Sequence, residues 1–120
     1  MKKNTLMMVA VFSVFMLTIS TPSSAQLFKT KLQITVIDGL GNVVEGAEVK
    51  LFANETDYKS SENVVTSGTT DDKGRVKFKP LETQAYFLDV RKGDLMNDGR
   101  AVKTTVLEKG KTTRVNIVIE

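Results

Sequence analysis

The 120-residue sequence contains no histidine, no cysteine and no tryptophan. Without histidine and cysteine the chain lacks the usual general base, the Ser-His and Cys-His nucleophile pairs and the standard zinc ligands. The absence of cysteine also means that an exported form would fold without disulfides and would carry no lipid on a cysteine. We therefore expect a protein that is not an enzyme and binds no cofactor.

Long apolar runs are also scarce. The longest, residues 6–19, has 14 residues, whereas a helix needs about 20 to cross a bilayer. It follows Lys2 and Lys3 and precedes Ser23-Ser24-Ala25, which is the order of a basic region, an apolar region and a small-residue cleavage site in a secretory signal peptide. We interpret residues 1–25 as a signal peptide and residues 26–120 as one exported domain, periplasmic or secreted, with no membrane span.

The predicted exported domain also has no large excess of positive or negative charge. Two of the 17 basic residues, Lys2 and Lys3, lie in the predicted signal peptide, which leaves 15 basic against 14 acidic residues. A near-balanced charge gives no reason to expect nucleic acid, which usually requires a clustered basic face. Lys77 and Lys79 are interpreted as the solvated face of one strand.

After residue 26, apolar residues recur with a period of two and are interrupted by Gly, Asn and Asp clusters, which is typical of strands and turns. This pattern predicts an all-β, seven-stranded Greek-key β-sandwich. The predicted strands are 32–36, 47–51, 64–69, 76–78, 86–90, 101–107 and 115–119, with turns at 38–42, 71–74 and 93–99 and a long loop at 53–63.

Three blocks within this pattern carry a family resemblance. They are Asp38-x-x-Gly41-x-x-Val44-x-Gly46-Ala47-x-Val49-x-Leu51, then Thr70-Asp71-x-x-Gly74-x-Val76, then Leu81 with Tyr86, Leu88, Val90 and Gly93. In this order they resemble the carboxypeptidase regulatory-like family, which has a transthyretin-like (prealbumin-like) sandwich. The resemblance implies an accessory domain of an exported protein without chemistry of its own. The hydroxyisourate hydrolases, which are enzymes of this fold, would require histidines that this chain lacks.

The turns suggest a second interpretation. If successive strands alternate in direction, the turns at 38–42, 71–74 and 93–99 share one end of the sandwich, and clustered carboxylates are ligands that calcium prefers. Residues 94–99 lack the spacing of an EF-hand loop, however, and basic residues lie close in sequence. We therefore expect turn-forming aspartates and no metal, and the alternative is a calcium site formed by Asp71, Asp72, Asp94 and Asp98.

Four apolar residues are hard to place in the core, and we predict that they form a contact patch: Tyr58, Phe87, Leu95 and Met96. The alternative is that loops cover them. The leading functional hypothesis is a noncatalytic exported module that binds a protein or glycan through its loops or an open sheet edge. The alternative is a structural surface or periplasmic protein that self-associates through edge strands, for which the strand at 115–119 is the candidate.

The signal peptide predicts the first residue of the exported protein. Cleavage after Ala25, with Ser23 and Ala25 at the small-residue positions, leaves Gln26 at the N-terminus. Mass spectrometry of the exported protein should give the mass of residues 26–120, and an intact leader would show that the interpretation is wrong.

Overall fold

The computed structural model describes residues 29–97 and 102–120. The predicted signal peptide and its cleavage site lie outside the described residues. The described chain forms seven strands and one short helix: β1 (Lys31–Asp38), β2 (Glu48–Phe52), α1 (Glu55–Ser60), β3 (Thr66–Thr69), β4 (Arg75–Phe78), β5 (Phe87–Lys92), β6 (Leu95–Met96) and β7 (Thr112–Ile119).

The strands form two sheets, which confirms the predicted all-β sandwich. One sheet has the order β4-β1-β7 and the other has the order β3-β2-β5-β6. We call them sheet A and sheet B. The β1–β7 pair is parallel and the remaining pairs are antiparallel, so successive strands alternate in direction as the sequence analysis assumed.

The core lies between the two sheets and is built from alternate strand residues, as the period of two predicts. Sheet A contributes Leu32, Ile34 and Val36 from β1 and Ile117 and Ile119 from β7, all fully buried. Sheet B contributes Val49 and Leu51 from β2 and Leu88 and Val90 from β5. Removal of this apolar surface from water is the main force that holds the sheets together.

Two glycines allow the chain to approach itself closely. A Cβ on Gly68 in β3 would lie 2.9 Å from Val76 in β4, so this glycine lets the two sheets meet along one side of the sandwich. Gly74 has a φ of +73°, and a Cβ there would lie 2.9 Å from the carbonyl oxygen of Val36. Both the positive φ and the contact require glycine at position 74, which explains its place in the second block of the family pattern.

Three local predictions are wrong. The predicted loop at 53–63 contains α1, which begins after Asn54, whose side-chain oxygen accepts the N–H of Asp57 at 2.8 Å. The predicted turn at 93–99 contains β6. The predicted strand at 101–107 is irregular over its described residues apart from a bridge between Lys103 and Phe87, and beside this bridge the N–H of Tyr86 donates to the Thr104 hydroxyl and not to a backbone carbonyl.

The core predicts the cost of two truncations. Replacement of Val49 or Tyr86 by Ala should lower the free energy of unfolding by roughly 2 to 5 kcal/mol, more for the aromatic residue, because each change leaves a cavity. The Tyr86 hydroxyl also accepts the N–H of Glu82 at 3.0 Å, so Tyr86→Phe should show the smaller cost of that bond. Chemical denaturation measures these values. Leu40→Ala is the control, because this side chain is 88% exposed; equal costs at all sites would contradict the assigned core.

Candidate functional site

The β7 edge of sheet A has no partner strand within residues 29–97 and 102–120. The N–H of Lys31 donates to the carbonyl of Lys111 at 2.9 Å, and a parallel ladder uses alternate residues of each strand. The odd-numbered residues of β7 therefore bind β1. The N–H and C=O groups that point away from β1 belong to Thr112, Arg114, Asn116 and Val118, and no described residue binds them.

Only the end of this edge is covered by described residues. Glu120 exchanges two backbone hydrogen bonds with Met96 of β6, at 3.1 and 3.2 Å, on the side where the free groups of β7 point. The stretch from Thr112 to Val118 has no such partner among residues 29–97 and 102–120. It is about 20 Å long, since a strand rises about 3.3 Å per residue.

The other edges in the described chain are short or closed. β4 has four residues, which include Arg75 and Lys77, and it is followed by Pro80; charge and proline both discourage edge pairing. β3 also has four residues and packs beside β4. β7, with eight residues, is the longest edge strand that the structure describes.

The edge of β5 is closed by Asn97. Its Oδ1 accepts the N–H of Val90 at 3.0 Å and its Nδ2 donates to the carbonyl of Leu88 at 3.1 Å. Asn97 is buried, and the N–H of Leu88 donates to the carbonyl of Val102 at 2.8 Å. The Asn97 side-chain amide thus takes the place of a strand backbone beside β5, between β6 and residue 102. No spacing rule in the sequence indicates this role of Asn97.

Three members of the predicted contact patch lie on the outer face of sheet B. The Tyr58 ring on α1 is 5.9 Å from the rings of Phe52 and Phe87. Met96 faces the same side, because it pairs with Arg91. Leu95 pairs with Lys92 and therefore faces the opposite side of the sheet. Phe52 is fully buried and the Tyr58 ring packs against it, so Tyr58 stabilises the fold. A binding role for the other patch residues stays a prediction.

A shallow cleft of about 250 Å³ adjoins this patch, and its walls are mostly polar: Tyr58, Lys59, Ser61, Asp89, Arg91, Met96 and Asn97. Arg91 and Asp89 form an ion pair in it, with the Nε–Oδ1 distance at 2.9 Å. The charges that line the cleft are thus partly neutralised within the protein.

The described parts of the predicted aspartate turns lie at one end of the sandwich. The N–H of Val36 donates to the carbonyl of Gly74 at 2.8 Å, which places the turn at 71–74 beside the end of β1, and Glu120 joins β6 to the same end. No group of three or more acidic side chains suited to a metal forms within the described residues. Asp98 lies outside them, so the calcium alternative stays untested.

Asp38 and Asp71 act within their own turns. The Asp38 carboxylate accepts the N–H groups of Leu40 and Asn42 at 2.9 and 3.0 Å. The Asp71 carboxylate accepts those of Arg75 and Lys73 at 3.0 and 2.9 Å, and these bonds, that of Arg75 first, hold the pKa of Asp71 below its ordinary value of 3.8. These contacts favour the turn-forming interpretation.

No helix within residues 29–97 and 102–120 has both the length and the apolar character that crossing a membrane would require.

Comparison with known proteins supports the fold. No protein family matches the chain, so membership of the carboxypeptidase regulatory-like family is not confirmed, and no curated protein matches it. Among solved structures, it is similar to a streptococcal ancillary pilin (18% identity, TM-score 0.58, 77% of this chain and 32% of that chain). It is also similar to a variant of BcpA, the major pilin subunit of Bacillus cereus (20% identity, TM-score 0.52, 77% of this chain and 30% of that chain).

The chain thus spans about a third of the length of these pilins. At this level of identity the likeness establishes a shared β-sandwich architecture.

The Asp71 turn predicts a stability difference that depends on pH. Asp71→Ala should lower the melting temperature at pH 7, because the N–H groups of Lys73 and Arg75 lose their acceptor. A carboxyl with a lowered folded pKa stabilises the protein above its unfolded pKa, and this contribution is lost as pH falls through the folded pKa. The gap between wild type and Asp71→Ala should therefore narrow in acid, and thermal melts from pH 7 down to about 2, below the ordinary Asp pKa, measure it.

Asp72→Ala is the matched control, and a constant gap across this pH range would contradict the role of Asp71.

Millimolar calcium should leave the wild-type melting temperature unchanged, since a ligand that binds only the folded state would raise it.

Proposed function

We propose that this chain is a noncatalytic structural module of an exported or surface assembly, and that two copies associate by pairing their β7 strands. The observation that carries the proposal is the eight-residue edge of β7, which has no second partner among the described strands, because free strand edges are templates for another strand. The structural neighbours are pilin subunits, which supports a surface role for this class of protein.

The free groups of β7 fit an antiparallel pair of identical strands. Residues that exchange both backbone hydrogen bonds must carry free groups on both strands, which restricts pairing to residues 112, 114, 116 and 118. The register that uses all four places Thr112 opposite Val118 of the second copy, and Arg114 opposite its Asn116. Four such pairs exchange two bonds each, and the contact is related by a two-fold axis.

Side-chain charge favours this register over its neighbours. A shift by one hydrogen-bonded pair in one direction would place Arg114 opposite the Arg114 of the second copy, and like charges directly opposite are destabilising. The opposite shift leaves Thr112 unpaired. In the proposed register both arginines face an amide side chain.

Proline at Asn116 tests the edge. This N–H points away from β1, so Asn116→Pro should preserve folding while it removes a donor from the intermolecular ladder. Sedimentation of protein purified from expression of the full chain should show a wild-type dimer and a monomeric variant of similar melting temperature. Lys77→Pro is the matched control, because Lys77 lies on the other edge of the same sheet and its N–H also points away from β1; it should leave the dimer intact.

Charge at position 116 tests the register without proline. Asn116→Glu places a carboxylate opposite each Arg114 and should tighten the dimer, whereas Asn116→Arg places arginines opposite each other and should weaken it. Opposite-charge pairs contribute roughly 0.2–1 kcal/mol each, and two pairs give a change of about 2-fold to 30-fold in the dissociation constant. A wild type that stays monomeric at high concentration would overturn self-association and leave pairing with a different polypeptide.

A further inference from the structure

The outer face of sheet A is basic, although residues 26–120 carry 15 basic against 14 acidic residues. Since Leu32, Ile34 and Val36 point into the core, the intervening residues of β1 and their neighbours on β4 and β7 point outward. Four of these outward residues are cationic and we call them the basic face: Lys31, Arg75, Lys77 and Arg114. Between them lie only uncharged side chains: Gln33, Thr35, Thr112 and Asn116.

The strand register sets the spacing of these cations. Lys77 and Arg114 flank Gln33 in one row across the sheet, and Arg75 lies beside Thr35 in the next row. Strands are about 4.8 Å apart and rise about 3.3 Å per residue, so the Cα atoms of Lys77 and Arg114 are about 10 Å apart and those of Lys77 and Arg75 about 7 Å. These separations are close to the Debye length of about 8 Å at physiological ionic strength, so the cations act on one another.

No carboxylate in the described chain pairs with the basic face. The ion pairs between described residues lie elsewhere: Lys50–Glu48, Lys59–Glu55, Arg91–Asp89 and Lys111–Glu108. Two of them neutralise the outer face of sheet B. Asp71 borders the basic face beside Arg75, and its negative charge acts on Arg75 although the two side chains form no ion pair.

The composition of the face indicates what kind of anion fits it. It is a flat sheet surface with cations on all three strands, which suits an extended polymer better than a single small anion. It contains no aromatic side chain, whereas proteins that bind single-stranded nucleic acid usually stack bases on aromatic rings. The amide and hydroxyl groups of Gln33, Thr35 and Asn116 offer hydrogen bonds that sugar hydroxyls can satisfy.

We propose that the basic face binds a linear anionic polysaccharide. The polymer lies across β4, β1 and β7, and its carboxylate or sulfate groups neutralise Lys77, Arg75 and Arg114. The interaction uses side chains on the face and leaves the backbone edge of β7 free, so it does not depend on self-association.

Binding measurements with defined polymers test this proposal. Polygalacturonate and dextran sulfate are the carboxylate and sulfate probes, neutral dextran is the blank, and single-stranded poly(dT) is the nucleic acid. Titration calorimetry should show saturable binding of at least one anionic polysaccharide that weakens more than 5-fold between low and physiological salt. The double variant Lys77→Gln/Arg114→Gln should lose at least 10-fold in affinity.

The matched control removes the same charge from other places. Lys50→Gln/Lys59→Gln should change the affinity less than 2-fold. Both double variants should remain folded, because all four side chains are exposed or half-buried, and the control should melt slightly lower, because it breaks the exposed ion pairs with Glu48 and Glu55. Equal losses in the two double variants would assign binding to net charge and overturn the proposal. Failure of both polysaccharides to bind, or poly(dT) binding as tightly as the better polysaccharide, would also overturn it. Val118→Pro, at a residue whose N–H also points away from β1 and which is not among the groups that contact the polymer, should disrupt the dimer and still bind, which separates this surface from the edge.

Discussion

The structure depends on β1, which hydrogen-bonds on both sides. Its even-numbered residues bind β4 and its odd-numbered residues bind β7, as the N–H of Val36 to Gly74 and the N–H of Lys31 to Lys111 illustrate. The same alternation sends Leu32, Ile34 and Val36 into the core and Gln33 and Thr35 to the surface. Once β7 is parallel to β1 in this register, both its unpaired backbone groups and the outward position of Arg114 are fixed.

The two sheets differ in how far their outer faces and edges are covered by other parts of the described chain. Sheet B is partly covered by α1 on its outer face and is closed at β5 by Asn97 and the segment around Val102. Its outer charges form internal pairs. Sheet A keeps an open edge and unpaired cations in the described chain. This asymmetry concentrates the available binding groups of the described domain on one sheet, which is why both proposals concern it.

Sequence periodicity predicted the core well because burial on one face of a strand leaves a direct trace in the order of residues. Val49, Tyr86 and Ile117 were all assigned inward, and all are buried. The strand predicted at 101–107 failed for a different reason. Val102, Thr104 and Leu107 supply the alternation, but strand formation also needs a continuous ladder, and the described part of this segment binds residues 84–88 through separate backbone hydrogen bonds, one bridge and a threonine hydroxyl.

The sequence did not predict the helix α1, because its six residues are too few to show a helical apolar period and local contacts stabilise it. Asn54 caps it, and Lys59 and Glu55 form an ion pair at 2.9 Å. The sequence did not predict the basic face either, because the net charge of residues 26–120 does not show where the charged side chains lie on the surface. Lys77 was correctly placed on a solvated strand face, but Lys31, Arg75 and Arg114 come beside it only through the pairing of strands that are distant in sequence.

The two proposals are thermodynamically linked through Arg114. In the paired register the outer faces of the two copies continue on the same side of one six-stranded sheet, so that the cations of both copies adjoin across the β7 strands. Their mutual repulsion opposes association, and a polymer that spans the joint neutralises them. A polyanion that binds the dimer more tightly than two separate monomers must promote dimerisation by the same factor. Polysaccharide binding and self-association would then reinforce each other, because each makes the free energy of the other more favourable.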